Sequence, residues 1–227
     1  PDALQSLAPS TLLTALMLIR PVMLEADTAN ACRMCLEIYR SAERATHSQS
    51  LEVCRKWSPH IQRFGWRSYS DAISTTESEP LCLEDYSVRM FRAIGILVEG
   101  VIQSRLRELL ELKRLVGSED TASVISMSLG GVVNELLHSR RIPEGLLRLE
   151  PWGLPLNQWR NVAQHSSWRV EKDVIVAITG NPAKGTEIML SKDSMQELKR
   201  EISRVLQVLA AARTLFLLDR ESPQTNI

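Results

Sequence analysis

The chain has 227 residues, with 27 basic and 27 acidic side chains, so no global field draws it to nucleic acid or anionic lipid. A hydrophobic content of 44% with 24% charged residues is that of a globular protein able to bury a core, and excludes a low-complexity or fibrous chain. A polyanionic partner would have to be met by a local cluster of cations.

The chain opens on Pro1 rather than methionine, which reads as a processed chain or a piece of a longer one. The apolar run Leu12 to Ile19 is shorter than the roughly 20 residues that span a bilayer and lacks a basic start, so a core helix in a cytoplasmic protein with no membrane partner is expected. Residues 10 to 60 have helical spacing. A first helix stops at Arg20 before Pro21, a second runs from about Val22 into the Arg40 to Arg44 region, and a shorter one spans Leu51 to about Trp57. The stretch FGWRSYSDAISTTESEP, 64 to 80, is rich in serine and threonine. It divides an N-terminal helical region, 1–64, from a bundle at 83–220, through a linker at 65–82.

Four cysteines, Cys32, Cys35, Cys54 and Cys82, are too few for a disulfide framework in a chain of this length. Cys32-Arg-Met-Cys35 has zinc or redox spacing and is followed by His47, Cys54 and His60, but the segment is helical throughout and no second close pair follows. The cysteines are read as small reduced core residues, and neither metal nor cofactor is expected.

Leu83 to Val116 is the longest periodic segment and ends at Gly117. A second helix is expected from about Glu119 to His138, with Gly130-Gly131 in its middle. Glycines there cost roughly 1 kcal/mol each against alanine and mark a kink or a close helix approach. Pro143, Pro151 and Pro155 punctuate a short connection. After a short polar helix, the β-branched run Val174 to Thr179, the turn GNPAKG and the strand TEIML predict a hairpin at about 168–190. Helical spacing returns from Ser191, with Ser194 and Glu197 as a capping box, before a tail at 221–227. The expected fold is mainly α, a helical bundle with a small β-hairpin inserted before the last long helix.

The polar helix reads NQWRNVAQHSSW, 157 to 168. At 100° per residue, Asn157, Arg160, Asn161, Gln164 and His165 share one face, and all five are polar. Leu156, Trp159 and Ala163 take the opposing face, with Val162 at its margin. The amide of Asn161, one turn before His165, is placed to orient the imidazole. Arg160 and His165 stand about 140° apart around the helix. One copy therefore spreads them to the edges of the stripe, whereas two copies face to face would gather them around one phosphate.

Arginine offers a planar fork of donors to a phosphodiester and stabilises charge on its equatorial oxygens, and histidine moves protons near pH 7. In RNA the neighbouring 2′-hydroxyl is a built-in nucleophile, so no metal is needed and a 2′,3′-cyclic phosphate and a 5′-hydroxyl are the expected products.

Arg160-Asn161-Val162-Ala163-Gln164-His165 resembles the R-x4-H signature of HEPN-domain ribonucleases, and the order of helices around it, over about residues 81 to 220, is similar to that family's bundle. The resemblance implies that Arg160 binds phosphate, that His165 is the general acid or base, and that Asn161 supports them. It also implies an endoribonuclease of toxin or antiviral-defence type, a homodimer with a composite active site, and an antitoxin or regulatory partner. Asn157, Gln164, Arg140, Arg141 and Arg169 are the expected RNA-binding residues around it, with Arg148 beside them.

The alternative for the same helix is a polar seam in a non-catalytic dimerisation or interaction module that keeps a HEPN-like fold. Arg55, Lys56, Arg63 and Arg67 interleave with Trp57, Phe64, Trp66 and Tyr69, a pattern that suits single-stranded nucleic acid. With no net charge, the plainer expectation is that these aromatics pin the segment to the helices. The chain has no G-x-S-x-G elbow, no Walker phosphate loop, and no histidine placed to activate a cysteine.

Overall fold

Residues 9–74, 81–180 and 185–221 are described by the structure, a computed structural model. The chain folds as a mainly α-helical bundle with a small sheet before the last long helix, as the sequence predicts. Helices α1 (Pro9–Leu24), α2 (Ala26–Ala45) and α3 (His47–Ser74) come first. Helix α3 passes through both Pro59 and the expected linker as far as Ser74. The reason lies in its inner face. Val53, Cys54, Trp57 and Ile61 recur at helical spacing and are all buried, so packing holds the helix across the proline. Residues 75–80, the rest of the expected linker, lie outside the described residues.

Helix α4 (Leu83–Gly95) runs through a π-helical segment (Ile96–Ile102) into α5 (Gln103–Val116), forming the long rod that the periodicity predicts. In the wider turn the Gln103 N–H reaches back to the Val98 carbonyl. The next expected helix is shorter than its pattern. A 3-10 turn (Ala122–Ser126) precedes α6 (Leu129–His138), whose start is set by Ser128, its hydroxyl accepting from the Gly131 N–H at 3.2 Å. Gly130 and Gly131 therefore lie in the first turn, not in mid-helix. A Cβ on Gly130 would stand 3.3 Å from the Asn157 Nδ2, so this glycine does permit a close approach.

The proline-rich connection forms α7 (Glu144–Leu147) and a small antiparallel pair, β1 (Arg148–Leu149) with β2 (Leu154–Pro155). Helix α8 (Leu156–Gln164) follows, then β3 (Trp168–Glu171), β4 (Val174–Thr179) and β5 (Thr186–Leu190), antiparallel in that order. The expected hairpin is thus part of a three-stranded meander, joined by β3 in the register Trp168 with Ala177. Helix α9 (Lys192–Glu221) closes the bundle. Its cap is Ser191, which accepts from the Ser194 N–H at 3.1 Å, in place of the Ser194 and Glu197 box that the sequence suggested.

Helix α9 packs on α1 and α2, while α2 and α3 pack on α5. One hydrophobic cluster runs from Val22 and Trp57 to Leu198 and Phe216, so the N-terminal helices and the bundle share a core. That core holds two buried carboxylates. Glu108 accepts from the Tyr39 hydroxyl at 3.0 Å and from Arg213 Nε at 2.9 Å, and the same guanidinium donates to the Ser58 hydroxyl at 2.7 Å. Burial pushes the Glu108 carboxyl above its ordinary range against the pull of Arg213. Glu111 accepts from Lys56 at 2.9 Å and from the Trp57 Nε1 at 2.7 Å. Among the described residues no helix is long and apolar enough to cross a membrane.

Candidate active site at the end of helix α8

Leu156, Trp159 and Val162 are buried, and they turn the polar stripe of α8 outward. Val162, expected at the margin, is a core residue, and Ala163, expected in the core, is only half-buried. The helix ends in a left-handed turn. The Ser167 N–H bonds the Val162 carbonyl at 3.1 Å and the His165 N–H bonds that of Asn161 at 3.0 Å, while Ser166 takes φ 49°. This turn reverses the chain into β3 and leaves the His165 ring exposed at the helix end.

Arg160 is joined to a residue that the sequence reading missed. Its NH2 donates to Glu99 Oε1 at 2.7 Å, and the Gln164 amide donates to the other carboxylate oxygen. Glu99 stands on the π-helical segment that faces α8, and the two elements touch. It is the single charged residue between Arg92 and Arg105, in a mostly apolar run with two glycines. That isolation was the available signal. The side chains of Arg160 and Glu99 are 27% and 42% exposed, so water still reaches the pair.

Asn161 does not orient His165. Its side-chain oxygen accepts from Arg160 NH1 at 3.4 Å, a long bond, and only its backbone carbonyl meets the His165 N–H. Arg160 Nε is buried without a hydrogen-bond partner among the described residues, which leaves the NH1 and NH2 edge as the one that meets ligands. Asn157 lies at the α6 contact, with its Oδ1 buried and unpaired among the described residues.

The remaining expected cations are not gathered here. Arg169 donates to Glu171, at 2.5 Å, and to Glu187 at 2.8 Å. The strand register puts Trp168 with Ala177 and Ile188 on one face and Arg169 with Val176 and Met189 on the other. Trp168 stacks on Phe91 of α4, so Arg169 faces away from α4. Arg140 and Arg141 are exposed beyond the far end of α6, roughly 15 Å of helix rise from its contact with Asn157. Arg148 pairs with Glu144 at 2.8 Å.

A groove of about 730 Å³ opens beside the stripe, between α4 with its π-helical extension and the turn from α8 into β3, and Glu99, Gln164 and Ser166 line it. Elsewhere, the basic and aromatic segment is anchored in the core through Trp57 and Lys56 on Glu111. The side chains of Arg63, Phe64, Trp66, Arg67 and Tyr69 lie outside the described residues. Cys32, Cys35 and Cys54 are buried and Cys82 is exposed. Burial pushes the Cys32 thiol up to about 11, and burial with the nearby Glu108 pushes Cys54 up to about 12, so these thiols stay protonated at neutral pH. No family model, no curated protein and no solved structure matches the chain.

Proposed function

We propose that the chain is a metal-independent endoribonuclease of HEPN type, acting as a homodimer on RNA. The observation that carries this reading is that Arg160 and His165 both stand on the outward stripe of α8, beside an open groove, while three core side chains hold the helix rigid. In the reaction the 2′-hydroxyl oxygen attacks phosphorus as its proton passes to a base. The bond to the 5′-oxygen breaks, and that oxygen takes a proton from an acid. Arg160 offers its NH1 and NH2 edge to the equatorial oxygens. His165 is the proton-transfer group, and a second copy across a two-fold axis supplies its own His165, so that one imidazole acts as base and the other as acid. Asn161 accepts from the arginine directly, and Glu99 joins it to Gln164. As a toxin or defence effector, such an enzyme needs an antitoxin or regulatory partner to restrain it.

The test is incubation of the purified chain with mixed RNA in excess EDTA, beside Arg160→Ala and His165→Ala. Fragments ending in 2′,3′-cyclic phosphate are expected from the parent chain alone, with losses of about 10²-fold or more in the variants. Intact RNA with the parent, or equal cleavage by both variants, overturns the catalytic role.

One observation favours a second reading. Glu99 already satisfies Arg160 and Gln164 within one chain, as a polar seam in a non-catalytic interaction module would require. On that reading Arg160→Ala changes association or stability and no chemistry is lost.

A further inference from the structure

We infer that the groove between α4 and the turn from α8 into β3 is a subsite for one unpaired nucleobase of an RNA strand whose phosphate lies on Arg160. The inference rests on the RNA-binding half of the proposed function and adds what the strand does beyond the phosphate.

The walls suit a flat, uncharged ring. Phe91, buried, stacks on the Trp168 ring at 5.2 Å between centroids and 23° between planes, fixing the indole, and the half-buried remainder of Trp168 lines the groove. Ile96 extends the apolar surface. Val88, also lining the groove, is 50% exposed although α4 buries Met90, Phe91 and Ile94. Base-on-aromatic stacking is worth about 1–3 kcal/mol per base.

The polar groups sit where base edges need them. Ser166 brings a hydroxyl, the strained left-handed turn holding it at the groove. Gln164 has its amide nitrogen engaged by Glu99, so the carbonyl end of that side chain is the part left to accept from a base amino group. Arg92 and Glu99 both line the groove, and the Glu99 charge is already paired with Arg160. A phosphate gains nothing against the apolar walls of Phe91, Ile96 and Trp168, which cannot replace its water. A neutral base does, and Glu99 marks the end where the groove meets Arg160. An RNA strand supplies that alternation of anion and neutral ring, whereas a free phosphate would fill one place only.

The probe is a 2′-O-methyl dodecanucleotide of mixed sequence with scattered 5-iodouracil, which has no 2′-hydroxyl to react and crosslinks to aromatic side chains on irradiation. With the unmodified 227-residue chain the expected adduct, mapped by mass spectrometry, is on Trp168. In a binding titration Trp168→Leu is expected to weaken affinity at least about fivefold, the lower end of one stacked base. Because Trp168 also packs on Phe91, circular dichroism accompanies that variant, and the crosslink on the unmodified chain decides the matter should it unfold. Adducts confined to other aromatic residues, no adduct, or unchanged affinity in a folded Trp168→Leu overturn the subsite, as would a peptide displacing the oligonucleotide from the groove with no base dependence. An adduct on Trp168 in a chain that leaves RNA intact keeps the subsite and removes the nuclease. Cleavage without that adduct does the reverse.

Discussion

Arg160 donates to Glu99 at 2.7 Å, so the arginine expected to hold a phosphate already holds a carboxylate supplied by a different helix of the same chain. With Nε buried, a phosphodiester gripped by two donors must share the NH2 that Glu99 occupies. Glu99→Gln removes the competing charge and keeps the side-chain shape. The expected result is tighter binding of an uncleavable RNA by about fivefold, on the order of 1 kcal/mol for a solvent-screened charge, abolished by adding Arg160→Ala. Weaker binding would show that Glu99 positions the arginine instead.

Arg160→Lys separates a charge from a fork. Lysine keeps the positive charge and loses the planar pair of donors. Cleavage is expected to fall roughly 10²-fold, nearly as far as with alanine. A rate constant within threefold of the parent would mean that a point charge suffices.

Ser166 occupies a left-handed position at the end of α8, φ 49°, where glycine has no side chain to strain. Relief of about 1 kcal/mol of strain against the greater unfolded-state freedom of glycine leaves Ser166→Gly more stable by about 0.5 kcal/mol. A thermal melt should rise by about 1–2 °C. A lower midpoint would mean that the serine side chain contributes more than its strain costs.

Glu108 and Arg213 form a buried pair, with Glu108 fully enclosed. Removing one partner leaves an uncompensated charge, so Glu108→Ala is expected to cost roughly 3–5 kcal/mol in urea unfolding. Glu108→Leu combined with Arg213→Met removes both charges and should cost clearly less than either alone. Simple additivity in that cycle would contradict a coupled pair.

Glu135 answers to pH. Arg114 reaches it through two nitrogens, with Nε at 2.8 Å and NH2 at 2.5 Å, and the guanidinium holds the Glu135 carboxyl below the usual glutamate range. A lowered folded-state pKa means stability that is fully present above the unfolded value of about 4.3 and lost as pH falls through the lower folded value. Both side chains remain partly exposed, so the contribution is on the order of 1 kcal/mol. Glu135→Gln should therefore reduce stability at pH 7 and flatten the acid limb below about pH 4.3; parallel profiles for the two proteins would rule this out.

Periodicity identified the long rod from Leu83 to Val116, the polar face of α8 and the strands Val174–Thr179 and Thr186–Leu190, because each depends on side-chain alternation within a few turns. It misjudged α3 at Pro59 and the start of α6, where burial of Trp57 and Ile61 and a bond to Ser128 outweigh local propensity. It missed β3, whose short run needs the β4 partner to become a strand. Glu99 was beyond reach as a partner of Arg160, since the two stand 61 positions apart and the residues between carry no trace of the contact.

The sequence by itself determined that Arg160 and His165 share one exposed helical stripe, since a helix of known period and three apolar anchors leave no other arrangement. Only the tertiary structure decided what meets that stripe: Glu99 on the arginine, Asn161 turned to Arg160 and away from the His165 ring, Arg169 directed to the other sheet face, and an aromatic groove alongside. The physical reason is one of range. Helical period acts over a few residues, whereas ion pairs and stacked rings form wherever core packing brings distant segments within a few ångströms.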